Sequence, residues 1–368
     1  MFSAYQLNLV LDSVDESILT SAENLKTNAY LIDLLQTEAK AVLDPLIPIY
    51  SNVVLLDFPN NPNVGDSLIW LGEIAYLKSR CANIKYVCDS RNYNPCLLKD
   101  VLDSSTIMLI HGGGNFGTIW PEEQDFRERV LLDFPNTHCI QLPQSISFDN
   151  KSAIEKSAKI INAHSNYTIL TRDKSSYEFV RREFKSKVQL CPDMAFFMGP
   201  QTKSKSPVND YFILSRTDHE KANDWVAELK SKISGTNYQL TDWLDAGSME
   251  RVVHRIEKHT TGLRRIIDKN NLLLLVLWTY LAKLRMRRGA ALLQQGKVVL
   301  TDRLHTHILS VLMDIPHIVI DNANKKISGF YNTWTKGYPR IRLVGNCDEA
   351  LSSVKNMNQN YDSKSEFI

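Results

Sequence analysis

Residues 297–322 read KVVLTDRLHTHILSVLMDIPHIVIDN. Lys297–Leu300 is a short β-type apolar run. Ile308–Met313 has the apolar spacing of a helix that Pro316 ends, and His317–Ile320 is a second β-type run. Strand, turn, helix and strand in this order belong to a parallel sheet. Such sheets bind ligands beyond the carboxyl ends of their strands. Arg303, His305 and His307 fall there, at a helix start whose unpaired N–H groups already favour an anion. A lone histidine would read as a packed core residue. Three such groups within five residues predict a phosphate or carboxylate ligand.

The same strand-end logic applies upstream. Val53–Phe58 runs into PNNPNVGDSLIW, which places Asn63, Gly65, Asp66 and Ser67 between a strand and a helix. Asp66 or Ser67 is the expected helix cap. Lys85–Cys88 is the next strand. Thr106–Ile110 ends in His111-Gly112-Gly113-Gly114-Asn115, where the glycines are expected to bring backbone N–H groups to an anion. The spacing is neither a dinucleotide fingerprint nor a P-loop. Thr137–Leu142 leads to Gln144, Tyr167–Leu170 to Arg172, and Val188–Leu190 to Asp193. Repeated polar delivery at strand ends predicts a doubly wound α/β unit with a cleft. Before it, residues 9–50 carry helical spacing (Ala22, Leu25, Ala29, Ile32, Leu35), closed by Pro45 and Pro48.

GPQTKSKSPVND (199–210) reads as a linker. Tyr211–Leu214 then restarts the pattern, ending at Arg216, and Tyr238–Leu240 leads to Asp242. The expected organisation is an N-terminal α/β domain with leading helices (1–198), a C-terminal α/β domain (199–345) and a segment with a flexible tail (346–368), the two domains facing a cleft. Lys326 and Trp334, within KKISGFYNTW, are expected to line that cleft, the ring suiting a sugar face. Segment 251–290 holds ten Lys and Arg against two acids, around Leu272–Trp278. It reads either as a membrane-interface element or as a core helix with a solvated basic face.

The whole chain has 368 residues, 43% hydrophobic and 23% charged, with a net charge of +2. That balance carries no nucleic-acid signature. The six cysteines show no CxxC pair and no metal spacing, so reduced thiols, no metal and no cofactor are expected. MFSAYQLNLVLDSVDES lacks a basic n-region, and no run of 18 apolar residues occurs. The expected location is cytoplasmic, and on the membrane-interface reading 251–290 meets the inner face of the plasma membrane.

Taken in order, NVGDSLIW (63–70), HGGGNFGTIW (111–120), LPQSI (142–146), TRDKSSYEF (171–179), CPDMAFF (191–197), LSRTDHE (214–220) and the 301–334 block resemble the polysaccharide pyruvyl transferase family, nearest its bacterial exopolysaccharide and capsule members. The match runs over roughly residues 50–340. The resemblance implies two Rossmann-like domains in a glycosyltransferase-B-like arrangement. It implies phosphoenolpyruvate as donor and a sugar of a polymer or lipid-linked repeat unit as acceptor, joined as a pyruvate ketal. The family's RLH motif falls on Arg303, Leu304 and His305, its second-domain arginine on Arg216, its glycine motif on His111–Asn115, and its RD motif on Arg172 and Asp173. On this reading Arg303 and Arg216 clamp the donor's two anionic groups. His305 is the acid, and Asp66, Asp193 or His111 the base. Two other readings share these features: a nucleotide-sugar glycosyltransferase, and a non-catalytic sugar- or anion-binding protein.

Overall fold

The computed structural model describes residues 27–217, 225–233, 235–244, 247–248, 250–252, 255, 272–321 and 325–354. The first sheet holds β1 (Asn52–Leu56), β2 (Asn83–Cys88), β3 (Ile107–Ile110), β4 (Gly113–Gly117), β5 (Cys139–Ser147), β6 (Tyr167–Thr171) and β7 (Lys187–Leu190). Their order is β2-β1-β3-β5-β6-β7, with β4 beside β5. The second sheet holds β8 (Asn209–Leu214), β9 (Tyr238–Thr241), β10 (Gly296–Thr301), β11 (His317–Ile320) and β12 (Ile341–Val344), ordered β12-β11-β10-β8-β9. Every pairing is parallel. Both faces of such a sheet are covered, which is why β3 (IMLI) and β11 (HIVI) are buried along their whole length.

Each sheet has one place where its connections diverge. From β1 the chain steps out to β2 and returns on the other side to β3. From β8 it steps to β9 and returns to β10. Neighbouring strands whose connections part leave a crevice at their carboxyl ends. Asp57 and His111 follow β1 and β3; Arg216 and Arg303 follow β8 and β10.

Two strands escape the sequence pattern. The glycine run is not an open loop: Gly113–Gly117 forms β4, and Gly113 and Gly117 take φ values of +132° and +120° that an L-residue avoids. β12 lies in a charged, mixed stretch. The cap of the helix Val64–Ser79 is Asn63, whose side chain accepts from Gly65 N–H, and not Asp66 or Ser67. The leading helix is Asn28–Leu43, while the rest of the expected helical stretch, residues 9–26, lies outside the described residues.

One apolar cluster joins the two halves. Leu31, Val64, Leu68 and Phe196 pack with Phe212, Leu304, Ile308, Leu312 and Phe330. Each large side chain buried this way contributes roughly 1.5–3 kcal/mol. Residues 199–210 are tied down: Gln201 N–H donates to the Leu312 carbonyl (2.7 Å), and Ser204 N–H to Gln294 Oε1 (2.9 Å).

Helix Leu272–Leu293 buries Leu274, Trp278, Leu281 and Ala282, with Trp278 stacked on Phe58 at 4.5 Å. Its outer face exposes Leu273, Val276 and Tyr280, then Lys283 and Arg287. Arg285 and Arg288 point inward instead, donating to the Pro59 and Pro62 carbonyls (3.2 and 2.7 Å). The basic residues here are therefore not all one solvated face. Among the described residues, no helix is long and apolar enough to cross a membrane. Most of 253–271 and the tail 355–368 lie outside the described residues.

Candidate active site

A cavity of about 300 Å³ opens where the two crevices meet. Arg91, Arg172, Arg216, Arg303 and Lys326 supply cations to its wall; Asp57, Asp66, Asp89, Glu122 and Glu123 supply carboxyls, and His111, His305, Trp120 and Trp243 supply rings. The carboxyls all come from the first sheet's side. Three of those five cations come from the second.

His305 sits one residue into the helix Leu304–Leu312 and projects towards the first half. Its Nε2 lies 3.5 Å from Asp193 Oδ2 and 3.4 Å from Arg172 Nη1. Arg172 is fixed from several sides. Nη1 donates to Asp193 Oδ2 (2.7 Å), Nε donates to Ser145 Oγ (2.9 Å), and the Arg172 carbonyl accepts from Trp334 Nε1 (2.9 Å). Burial alone would raise the Asp193 carboxyl; hydrogen bonding to His305 and the charges of His305 and Arg172 hold it well below the usual carboxylate range. Asp173, the other half of the RD pair, caps the following helix through Ser176 N–H (2.8 Å) and does not line the cavity.

Across the cavity, His111 follows β3. Its Nδ1 lies 2.8 Å from Glu73 Oε2, and the other Glu73 oxygen accepts from Gly112 N–H (2.9 Å). Glu73 is fully buried in the helix Val64–Ser79. Burial works to lower the His111 pKa, but the Glu73 charge and hydrogen bond, with Asp57, raise it above the ordinary value. His111 Nε2 is buried without a hydrogen-bond partner. Gly112 N–H is thus committed to Glu73, and no anion nest is built from it.

Asp57 follows β1 with φ +71°, is 5% exposed, and leaves Oδ2 buried without a hydrogen-bond partner. Burial raises its carboxyl to about 6 against the pull of Arg127 and His111. Asn115 presents Oδ1 to Arg127 Nη2 and Gln144 Nε2 (both 2.8 Å).

From the second sheet, Arg303 Nη2 donates to Asp242 Oδ2 (2.7 Å), and Arg216 N–H donates to Asp302 Oδ1 (2.8 Å). Lys326 Nζ donates to the Gly114 carbonyl (3.0 Å). A Cβ on Gly114 would lie 2.9 Å from Arg172 Nη2 and 3.3 Å from Lys326 Nζ, so this glycine is what lets the two cations converge.

The cavity wall therefore gathers Asp66, His111, Gly112, Gly114, Asn115, Arg172, Arg216, Arg303, His305 and Lys326 from the sequence-predicted set. Five members fall elsewhere. His307 is fully buried, 2.8 Å from His317 Nε2 and 3.0 Å from Thr335 Oγ1, because the helix turns it one face away from His305. Trp334 braces Arg172 from behind, Gln144 braces His111 and Asn115, and Gly113 turns the chain into β4. Asp193 contacts His305 and Arg172 from beneath the wall. Asp57 and Glu73 escaped sequence reasoning. Asp57 gave a signal, since it ends a strand like the others; Glu73 looked like one more helix position.

A protein-family model described as "Polysaccharide pyruvyl transferase" matches residues 63–324. "Pyruvyl transferase 1" of Schizosaccharomyces pombe is 33% identical over 325 residues, covering 83% of this chain and 76% of the relative. The "Putative pyruvyl transferase EpsO" of Bacillus subtilis is 32% identical over 311 residues, covering 84% of this chain and 93% of the relative. In architecture, the chain is similar to a functionally uncharacterized protein from Klebsiella pneumoniae subsp. pneumoniae, at a TM-score of 0.54 and 20% identity, covering 84% of this chain and 98% of that one. With the family model spanning most of the sequence, this chain belongs to the polysaccharide pyruvyl transferase family and is a transferase enzyme.

Proposed function

We propose that the protein moves the enolpyruvyl group of phosphoenolpyruvate onto two hydroxyls of a sugar in an exopolysaccharide or its lipid-linked repeat unit, making a pyruvate ketal and releasing phosphate. The reaction takes place between two Rossmann-like domains in a glycosyltransferase-B-like arrangement. The observation that carries this reading is the convergence of Arg172, Arg216, Arg303 and Lys326 on the cavity that also holds His305. A small donor with a carboxylate and a phosphate matches that charge.

His305 delivers a proton to the donor's methylene carbon, leaving an oxocarbenium-like C2 stabilised by the carboxylate's own negative charge. Arg172 and Asp193 hold the ring in place. The cations bear the charge of the departing phosphate. The carboxyl-rich wall, with Asp66 or His111 placed to take a proton from one hydroxyl and Trp120 as a sugar-facing ring, receives the acceptor. The protein works at the cytoplasmic membrane face, with the exposed Leu273, Val276, Tyr280, Lys283 and Arg287 edge towards the lipid.

The test is incubation with phosphoenolpyruvate and a panel of synthetic and lipid-linked glycosides, following phosphate release and a ketal methyl signal by NMR. Turnover of a nucleotide sugar with no use of phosphoenolpyruvate would replace this reading with glycosyl transfer.

A further inference from the structure

The overall reaction fixes how many protons must move. Two acceptor O–H bonds break and two C–O bonds form at C2. One proton ends on the new methyl group and the other leaves with phosphate, while the C2–O bond to phosphate breaks. Two hydroxyls must therefore each lose a proton, and one of these protons must be carried to the departing phosphate, which calls for a group that takes it up and gives it back.

We propose that Asp57 is a further catalytic residue, the base that takes the proton from one of the two acceptor hydroxyls. The assignment rests on the pyruvyl-transfer reading. Three features of the site support it. Asp57 stands at the carboxyl end of β1, beside the point where the first sheet's connections diverge, and lines the cavity. Its Oδ2 is buried with no hydrogen-bond partner, the carboxyl being helped by a hydrogen bond only from the Asn115 side chain, whereas Asp66 accepts from the Asn61 and Asn63 side chains and Asp193 is engaged by Arg172 and His305. Its backbone is held at φ +71°, a conformation costly for a non-glycine residue and kept where a side chain must be aimed. The charged and polar groups facing it are Arg127 and Glu123 from the helix Pro121–Asp133, His111 after β3, Asn115 in β4, and Cys88 at the end of β2. Their combined effect, with burial, leaves a carboxyl that is mostly ionised at neutral pH yet basic enough to accept a proton. The O–H proton passes to Oδ2 as the hydroxyl oxygen bonds C2, and Asp57 then hands it to the departing phosphate.

The experiment compares wild type with Asp57→Asn and Asp57→Glu, using phosphoenolpyruvate and p-nitrophenyl hexopyranosides. Asn accepts the left-handed backbone and is nearly isosteric. Asp57→Asn should lower kcat by about 100-fold or more. Its dissociation constant for phosphoenolpyruvate, by calorimetry, should stay within about twofold, since the donor is held by the cations. The acidic limb of the wild-type kcat/KM profile, near pH 6, should vanish in the residual activity of the variant. Asp57→Glu should recover part of the rate. If Asn disrupts folding, Asp57→Gly, which suits the backbone, takes its place. Near-wild-type turnover in Asp57→Asn overturns the assignment alone, as does a loss of donor binding that parallels the loss of rate. A wild-type protein that neither binds nor consumes phosphoenolpyruvate overturns both this assignment and the pyruvyl-transfer reading.

Discussion

Gly65 and His305 meet across the seam between the two sheets: a Cβ added to Gly65 would lie 2.6 Å from His305 Nδ1 and 2.7 Å from its Cβ and Cγ. The glycine of the first strand–helix turn is thus the floor on which the second half's histidine rests. Gly65→Ala should leave the fold intact but push the ring off Asp193 and Arg172. A displacement near 1 Å at a reacting group costs on the order of 100-fold. The check is kcat/KM alongside circular dichroism; an alanine variant with full activity would show that the ring has room to spare.

Arg172 and Asp193 form a pair with side-chain exposures of 3% and 0%. Asp193→Asn strands a buried guanidinium, and breaking such pairs costs about 3–5 kcal/mol. Chemical denaturation should show a loss of that order. Asp193 is depressed in the folded state, so its contribution is present above the unfolded carboxylate pKa and lost as pH falls through the folded value. A stability loss that stays the same however far the pH is lowered would count against the pair as its source.

Glu73 acts through His111 and is a positioning residue. Glu73→Gln can keep the Gly112 N–H contact but loses the charge that raises His111. The His111 ring, followed by NMR, should then titrate at lower pH than in wild type, with kcat falling about 10-fold or more and KM changing less. An unshifted titration would dismiss the dyad.

Strand ends were legible because a buried parallel strand is an unbroken apolar run, and the polar residue that stops it is conspicuous. Asp66, His111, Arg172, Arg216 and Arg303 were found that way, and all line the cavity. Glu73 was not, since a carboxylate inside a helix looks solvent-facing until its partner beyond another strand is known. His307 was over-read for the complementary reason. Two residues past His305, it lies on a different side of the helix, and only the His317 and Thr335 contacts reveal which side is inward. The glycine run misled because β4 pairs with β5 through register shifts that no local pattern announces.

The outer edge of helix Leu272–Leu293 sets Leu273, Val276 and Tyr280 in line with Lys283 and Arg287. Vesicles containing anionic lipid should co-sediment the protein at low salt and release it as salt rises, because the electrostatic share is screened within about 10 Å at 0.1 M. A Leu273→Ser, Val276→Ser pair should weaken binding without altering turnover of a soluble glycoside. Failure to bind at any anionic content would leave the acceptor alone to bring the enzyme to the membrane.

His307 and His317 are buried side by side, His307 Nδ1 2.8 Å from His317 Nε2, so the short contact requires one ring to donate and the other to accept. Burial lowers His317 to about 4, and burial with the neighbouring ring lowers His307 well below its ordinary value. Both folded values lie below the unfolded one, so the unfolded chain binds protons first as the solution is acidified. For His317 the stability is complete above about pH 6.5 and drains away down to about 4. For His317 alone the gap amounts to roughly 2 kcal/mol at pH 5. Urea midpoints should therefore fall between pH 7 and pH 5, and the fall should shrink in a His317→Gln variant, whose amide retains hydrogen-bonding capacity without titrating. An equal fall in both proteins would place the acid sensitivity in other groups.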